Sequence, residues 1–188
     1  RYYLAVAPVI LSHLHERPVV LTRYPDGAGT KGFYVQRAPE HRPSWVTTCT
    51  TSIKPPKELT FLRIESTAML AWVANLGAIE LHPWYSRCSA PSKPDYLVID
   101  LDPVEGTRFE KVRAAALLVK EALDAWSLPA FIKTSGATGL HLFVPIVRGP
   151  SQREVHTVAR DIAVAIAARH PRLFTTEYRI ANRPRGTV

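Results

Sequence analysis

The chain has 188 residues, of which 46% are hydrophobic, and it carries a formal net charge of +8. This length allows one compact domain, or two small lobes that share an interface. No apolar run reaches the roughly 18 residues of a membrane span, and the first residues lack the pattern of a signal peptide. The positive charge is typical of proteins that bind polyanions such as nucleic acid, although biased residue usage without a partner gives the same surplus.

The chain contains two cysteines, Cys49 and Cys88. Their spacing is not that of a metal site, and one pair cannot build a disulfide framework. The sequence therefore favours free thiols in a reducing cytoplasm over a single disulfide bridge.

The first half of the chain predicts a small α/β lobe. Its predicted elements are a helix over residues 2–14, strands over 19–24, 32–37 and 60–64, a helix over 67–76 and a strand over 78–81. Pro8 is expected to interrupt the first helix near its start. Pro25-Asp26-Gly27 predicts a turn between the first two strands, and the proline-containing segment 39–58 predicts a long connecting loop.

The second half predicts a strand over residues 96–99, a helix over 109–126, strands over 130–133 and 141–147, and a helix over 151–169. Residues 96–99 are apolar without alternation, which indicates a strand buried on both faces. Ser151 and Glu154 form a capping-box pattern at the start of the last helix. The order of elements is that of a split β-α-β unit of the ferredoxin-like type.

Two acidic residues, Asp100 and Asp102, follow the apolar strand directly. Positions i and i+2 of a strand point to the same face, so the carboxylates repel each other unless a cation lies between them. Hard divalent ions such as Mg²⁺ or Mn²⁺ take oxygen ligands of this kind. A solvated turn that carries two acids is one alternative. Another is a phosphatase of the type with Asp-x-Asp after a buried strand, but such enzymes usually carry a small hydroxyl residue soon after the pair, where this sequence has Pro103-Val104.

The segment Lys133-Thr134-Ser135-Gly136-Ala137-Thr138-Gly139-Leu140-His141 joins two predicted strands. Its glycines and hydroxyl residues can offer backbone N–H groups and hydroxyls to phosphate oxygens, beside a nearby lysine. An ordinary hairpin loop has a similar composition. This loop, however, follows the acidic pair with one predicted helix and one predicted strand between them. A metal site followed by a phosphate-binding loop indicates phosphoryl or nucleotidyl transfer.

A third group of residues is suited to bases and DNA. Phe33 and Tyr34 are adjacent aromatics in a predicted strand, close to the cation Arg23, and such a set suits stacking on unpaired bases. One aromatic in the core and one on the surface is the alternative. His82 ends another predicted strand, where a histidine is more often structural than ligand-binding.

Together these segments resemble the polymerase module of bacterial ligase D, a member of the archaeo-eukaryotic primase superfamily. The matching stretches span almost the whole chain in the family's order: Tyr2-Tyr3, Ala7-Pro8, His13-Leu14, Arg17-Pro18, Arg23-Tyr24-Pro25-Asp26-Gly27, Phe33-Tyr34, Ala38-Pro39, Gly77-Ala78-Ile79-Glu80-Leu81-His82-Pro83-Trp84, Asp100-Leu101-Asp102-Pro103, Lys133-Thr134-Ser135-Gly136 and Gly139-Leu140-His141. The resemblance implies an α+β, two-lobed primase-polymerase fold. Residues 1–94 would form the N-terminal lobe with its connecting loop, and residues 95–188 a ferredoxin/RRM-like catalytic lobe.

The resemblance also implies a function, which is the addition of nucleotides at DNA ends or gaps during non-homologous end joining. The implied roles are divalent-metal binding and catalysis for Asp100 and Asp102, nucleotide binding for His82, Ser135 and His141, and DNA binding for Arg23, Phe33 and Tyr34. Implied partners are broken or gapped DNA, nucleoside triphosphates, an attached or separate DNA ligase and a bacterial end-binding protein, in the cytoplasm near the nucleoid. Ribonucleotide preference stays open.

The sequence departs from the family's pattern in several places. Tyr34 replaces a common Phe, and Gln36 and Thr138 stand where relatives often carry cations. A third metal-binding aspartate is expected just beyond Arg185-Gly186-Thr187-Val188, where the sequence stops, so the chain is expected to be incomplete as a catalyst. A non-catalytic module that binds DNA ends is therefore the alternative function.

Overall fold

Four α-helices and eight β-strands make up the residues that the computed structural model describes, which are 1–54 and 57–188. The elements are α1 (Tyr2–Leu14), β1 (Val19–Arg23), β2 (Phe33–Val35), β3 (Thr48–Lys54), β4 (Lys57–Leu62), α2 (Thr67–Asn75), β5 (Ala78–Pro83), β6 (Tyr96–Leu101), α3 (Phe109–Ala125), β7 (Phe131–Thr134), β8 (Leu140–Pro145) and α4 (Gln152–Arg169), with a short 3₁₀ turn at Ile180–Asn182. The chain divides into two units, Arg1–Lys93 and Pro94–Val188. The predicted α+β class is confirmed.

The first unit is built around β1, which pairs in antiparallel fashion with β2, β4 and β5. Its core contains apolar residues of β1, β4, α1 and α2, among them Leu21, Leu62 and Leu70. Pro8 lies inside α1 without interrupting it, contrary to the sequence expectation. The hydrogen bond that proline removes would have used the carbonyl of Leu4, which is an exposed residue.

The predicted loop over residues 39–58 is wrong in its second half, because Thr48–Lys54 forms β3. This strand pairs along β4, with Cys49 opposite Phe61 and Thr51 opposite Leu59. Threonine-rich segments fit a pleated, half-buried surface well. Pairing with β4 therefore makes this segment a strand, although the prolines around it predict a loop. Residues 55–56, also within the predicted loop, lie outside the described part of the chain.

The second unit contains a three-stranded sheet in the order β6-β8-β7, with β8 antiparallel to both neighbours. Val112, Val119 and Leu123 of α3 and Ile162 of α4 belong to one core with the buried side chains of β6 and β8. At the start of α4, the side chain of Ser151 and that of Glu154 form the predicted capping box.

Strand β6 is not buried on both faces as predicted. Leu97, Ile99 and Leu101 point into the core, whereas Tyr96 and Val98 on the opposite face are only partly buried, and Asp100 is exposed there. In an antiparallel sheet of this kind only the face that packs against the helices must be apolar. The other face of β6 can therefore carry polar side chains at its C-terminal end.

Cys49 and Cys88 form a disulfide, whereas the sequence favours free thiols. Cys49 lies on β3 and Cys88 lies in the segment after β5. Only the tertiary fold brings these elements together, so the spacing of the cysteines carries no signal of their pairing. In the same described residues, no helix combines the length and the apolar character that crossing a membrane requires.

Candidate functional site

The acidic pair lies at the C-terminal end of β6. Asp100 is opposite His141 of β8, and the Nε2 atom of His141 is 3.3 Å from Oδ1 of Asp100. Asp102 follows the strand, and its Oδ2 atom is 3.0 Å from a guanidinium nitrogen of Arg183. More than half of each aspartate side chain is exposed, at 63% and 56%, so solutes can reach both carboxylates.

The electrostatics of this strand end follow from burial and from the neighbouring charges. The pKa of Asp100 is raised, chiefly by partial burial, and the charge of Asp102 raises it further, while His141, Arg183 and Lys133 lower it. The pKa of His141 is lowered, first by burial and also by Lys133, although Asp100 raises it. A cation near Asp100 would relieve the penalty on its ionised form.

His141 occupies the middle of a row of three polar side chains across the sheet. Its backbone pairs with Asp100 on β6 and with Lys133 on β7. The Nζ atom of Lys133 is 3.5 Å from Nδ1 of His141. An ammonium group can only donate, so a neutral imidazole that accepts at Nδ1 and donates from Nε2 satisfies both neighbours.

Arg183 is a member of this site that the sequence reasoning missed. Its guanidinium donates to the carboxylate and to the backbone carbonyl of Asp102, and its Nε donates to the carbonyl of Glu177. It lies 81 residues from Asp102 along the chain, so no local spacing could reveal the pair. Arg183 provides a positive charge at the position where the sequence predicts a metal ion.

The donor chemistry of the pair fits a divalent cation. Mg²⁺ is commonly bound through one or two carboxylates, with waters and substrate phosphates as its other ligands. Throughout residues 1–54 and 57–188, no three His, Cys, Asp or Glu side chains converge as a metal cluster would require. The described residues therefore offer two carboxylate ligands rather than a complete protein cage.

The loop over residues 135–139 packs against the same strand end. The hydroxyl of Ser135 accepts hydrogen bonds from the backbone N–H groups of Ala137 and Gly139, at 3.2 and 3.1 Å. Gly136 has a φ of +102°, which lets the loop turn. A Cβ atom on Gly139 would lie 2.3 Å from the carbonyl oxygen of Leu101, so only glycine allows this approach to the residue between the two aspartates.

We expect Gly139→Ala to displace this loop from β6 and to destabilise the protein by about 2–3 kcal/mol, because backbone atoms cannot give way as a flexible side chain can. Gly149→Ala is the matched control, since a Cβ there meets nothing within 4 Å. Denaturant unfolding of the two variants measures the difference. Equal stability of both variants would contradict the close packing of the loop on the strand.

The residues predicted to bind bases and DNA lie in the first unit, on β1, β2 and β5. Nε2 of His82 is 2.8 Å from the hydroxyl of Thr22 and 3.3 Å from a carboxylate oxygen of Glu80. The ring of Tyr34 lies 5.4 Å from the imidazole of His82, between ring centroids. His82 is thus held by two polar partners and keeps its ring beside an exposed aromatic.

Both members of the aromatic pair are exposed, rather than one exposed and one in the core. Phe33 is 47% exposed and Tyr34 70%. The guanidinium of Arg23 lies 5.6 Å from the centre of the Phe33 ring, within the range of a cation–π contact. In the first unit Arg23 therefore lies beside Phe33, and His82 lies beside Tyr34. Asp100, Asp102, Ser135 and His141 lie in the second unit.

The family profile described as "LigD, primase-polymerase domain" matches residues 1–188. The chain belongs to this family. It is 32% identical over 187 residues to the multifunctional non-homologous end joining protein LigD of Pseudomonas aeruginosa, which covers 100% of this chain and 22% of that protein. It is 28% identical over 184 residues to the bifunctional non-homologous end joining protein LigD of Bacillus subtilis, covering 97% and 29%.

A solved structure of this LigD primase-polymerase family is also similar to the chain. The polymerase domain of Mycobacterium tuberculosis ligase D, in complex with DNA, matches with a TM-score of 0.90 and 30% sequence identity. The match covers 99% of this chain and 67% of that chain. The chain thus has the fold of a polymerase domain, and it spans between a fifth and a third of the length of the two relatives just named.

Proposed function

We propose that this chain adds nucleotides to the ends or gaps of broken DNA during non-homologous end joining, as a nucleotidyltransferase of the LigD primase-polymerase type. Family membership over the whole chain and the likeness to a DNA-bound polymerase domain support this proposal. The named relatives are non-homologous end joining proteins. The joining of broken ends is completed by ligation, so the proposal includes a DNA ligase, attached or separate, and a bacterial end-binding protein as partners. We accordingly assign it to the cytoplasm, near the nucleoid.

One observation carries the proposal. The loop that contains Ser135 packs, through Gly139, on the carbonyl of Leu101, directly between Asp100 and Asp102. Groups suited to phosphate oxygens are thereby adjacent to carboxylates suited to Mg²⁺ or Mn²⁺. Divalent ions bound there would neutralise the phosphates and lower the pKa of an attacking 3′-hydroxyl.

The residues of the chain then have separate tasks. Asp100 and Asp102 would hold the ions, and the Ser135 loop and His141 would bind the triphosphate of the incoming nucleotide. In the first unit His82 would contact the nucleotide, while Phe33 and Tyr34 would stack on DNA bases and Arg23 would neutralise a phosphate.

A nucleotide-addition assay tests the function. The longest natural protein that carries this sequence is mixed with end-labelled DNA bearing a 3′-overhang, with Mn²⁺ and with either ribonucleoside or deoxyribonucleoside triphosphates. We expect extension that stops when a chelator removes the metal, and the two nucleotide pools report sugar preference. DNA binding without any extension would refute the proposal.

We expect Ser135→Ala and His141→Ala to weaken nucleotide binding about tenfold each, because each removes one polar contact to a charged group, worth about 1.5 kcal/mol. Thr157→Ala, which removes an exposed hydroxyl from α4 outside the loop, is the matched control. Calorimetric titration of the chain with a nucleoside triphosphate, beside DNA-binding curves, measures the effect. A similar loss of DNA affinity would point instead to an ordinary hairpin loop.

A second candidate is a non-catalytic module that binds DNA ends. It is favoured by Arg183, whose guanidinium already neutralises Asp102, and by the presence of only two metal-binding carboxylates at the site in the described residues. In this case, Asp100→Asn would leave every measurable activity of the protein unchanged. The same extension assay therefore separates the two candidates.

A further inference from the structure

The disulfide partners Cys49 and Cys88 lie at a junction of three parts of the first unit. Cys49 belongs to β3 and is opposite Phe61 of β4. Cys88 lies 39 residues further along the chain, in the segment that follows β5, and the two Cα atoms are 6.1 Å apart. Both cysteines are partly exposed.

Contacts other than the disulfide keep Cys88 near β3. The N–H of Cys88 donates to the carbonyl of Glu16 at 2.6 Å, and the N–H of Trp84 donates to the carbonyl of Pro18 at 2.9 Å. The ring of Trp84 packs edge-on against Phe61, with 5.0 Å between ring centroids. These contacts do not depend on the bridge, so the two thiols would remain close after reduction.

The Cα separation of the bridged pair lies within the range that disulfides ordinarily span. Metal binding is the other common use of a cysteine pair. Within residues 1–54 and 57–188, however, no third His, Cys, Asp or Glu joins the two sulfurs to complete a metal site. The geometry thus favours thiol–disulfide chemistry.

We propose that Cys49 and Cys88 form a reversible modification site that low-molecular-weight disulfides oxidise. The thiolate of one cysteine attacks a sulfur of the small disulfide, whose S–S bond breaks and releases one thiolate. The thiolate of the second cysteine then attacks the resulting mixed disulfide, forms the Cys49–Cys88 bond and releases a second thiolate. The two protons lost by the cysteine thiols go to the two released thiolates, and the small disulfide is reduced as the cysteine pair is oxidised.

The bridge ties the segment after β5 to the edge strand β3 and closes a loop in the unfolded chain. Closing such a loop stabilises the folded state, because it removes conformations from the unfolded ensemble. In a reducing compartment a bridge of this kind is transient, so the stability of the first unit would follow the thiol–disulfide balance around it. The effect is independent of nucleotide addition.

The test uses the whole chain, first reduced with dithiothreitol and then incubated with oxidised glutathione as the probe. Trypsin does not cut before proline, so the sequence gives Cys49 in a peptide of residues 38–57 and Cys88 in one of residues 88–108. We expect mass spectrometry to find these peptides cross-linked after oxidation and separate after reduction. The thermal midpoint should be about 5–10 °C higher in the oxidised chain.

The double variant Cys49→Ser/Cys88→Ser is the control, and its thermal midpoint should be the same under both conditions. The peptide result does not require any variant to fold, because it is read on the unmodified sequence. Glutathione adducts on the separate cysteines without a cross-linked peptide, or a cross-link between two chains, would overturn the proposal. So would an unchanged midpoint in a chain whose bridge has closed.

Discussion

Replacing Asp100 by asparagine should reduce metal-dependent nucleotide addition about a thousandfold or more, a loss typical of groups that stabilise charge in the transition state. The same loss is expected for Asp102→Asn. Asparagine keeps the shape of aspartate but removes the negative charge that a divalent cation needs. Each carboxylate is more than half exposed, so neither change opens a cavity.

The fold of the Asp100→Asn variant should survive. The pKa of Asp100 is raised by burial and by Asp102, so its ionised form destabilises the folded state at neutral pH. An uncharged asparagine removes this destabilisation. Asp124→Asn is the control, because Asp124 pairs with Lys120 on the surface of α3. Full activity in both active-site variants, with an intact fold, would disprove the assignment of the acidic pair.

Replacing both Phe33 and Tyr34 by alanine should weaken binding to overhanging or gapped DNA about a hundredfold, since stacking is worth roughly 1–3 kcal/mol per base. Both rings are exposed and are therefore accessible to unpaired bases. Tyr178→Ala is the control, because Tyr178 is 92% exposed but belongs to the other unit. Fluorescence anisotropy with labelled DNA measures the affinities.

The salt dependence of the same measurement separates stacking from charge. The logarithm of the affinity should fall with the logarithm of the salt concentration by about 0.7–0.9 per neutralised phosphate. Arg23→Ala should reduce the steepness of that slope by the amount that one phosphate contact contributes, about 0.7–0.9. The aromatic variants should leave the slope unchanged. A flat salt response, or unchanged affinity without the two rings, would contradict the DNA-binding role of these three residues.

Local signals in the sequence were enough for much of the fold. The bounds of α3 and α4 and the capping box at Ser151 depend on side chains within a few residues of each other, and the structure agrees with them. Short motifs predict both Asp100 and His141 as site residues. Their pairing across β6 and β8 is a property of strand register, which the sequence leaves open.

The features that were missed depend on partners distant along the chain. Strand β3 exists because β4 offers it hydrogen bonds, and its own residues are equally compatible with a loop. The bridge between Cys49 and Cys88 and the contact of Arg183 with Asp102 join positions 39 and 81 residues apart. No periodicity or short motif connects such positions, so only the folded chain reveals them.

Strand β8 has a consequence for how the length of this sequence can vary among relatives. Its residues alternate strictly, so that His141 lies on the polar face while Leu140 and Leu142 are buried. If one residue were gained or lost in the loop 135–139 and the register of β8 shifted by one residue, the side chains of β8 would exchange faces. His141 would enter the core and the leucines would leave it. Insertions and deletions should therefore be rare in this loop and more frequent around the exposed, unconstrained Gly149.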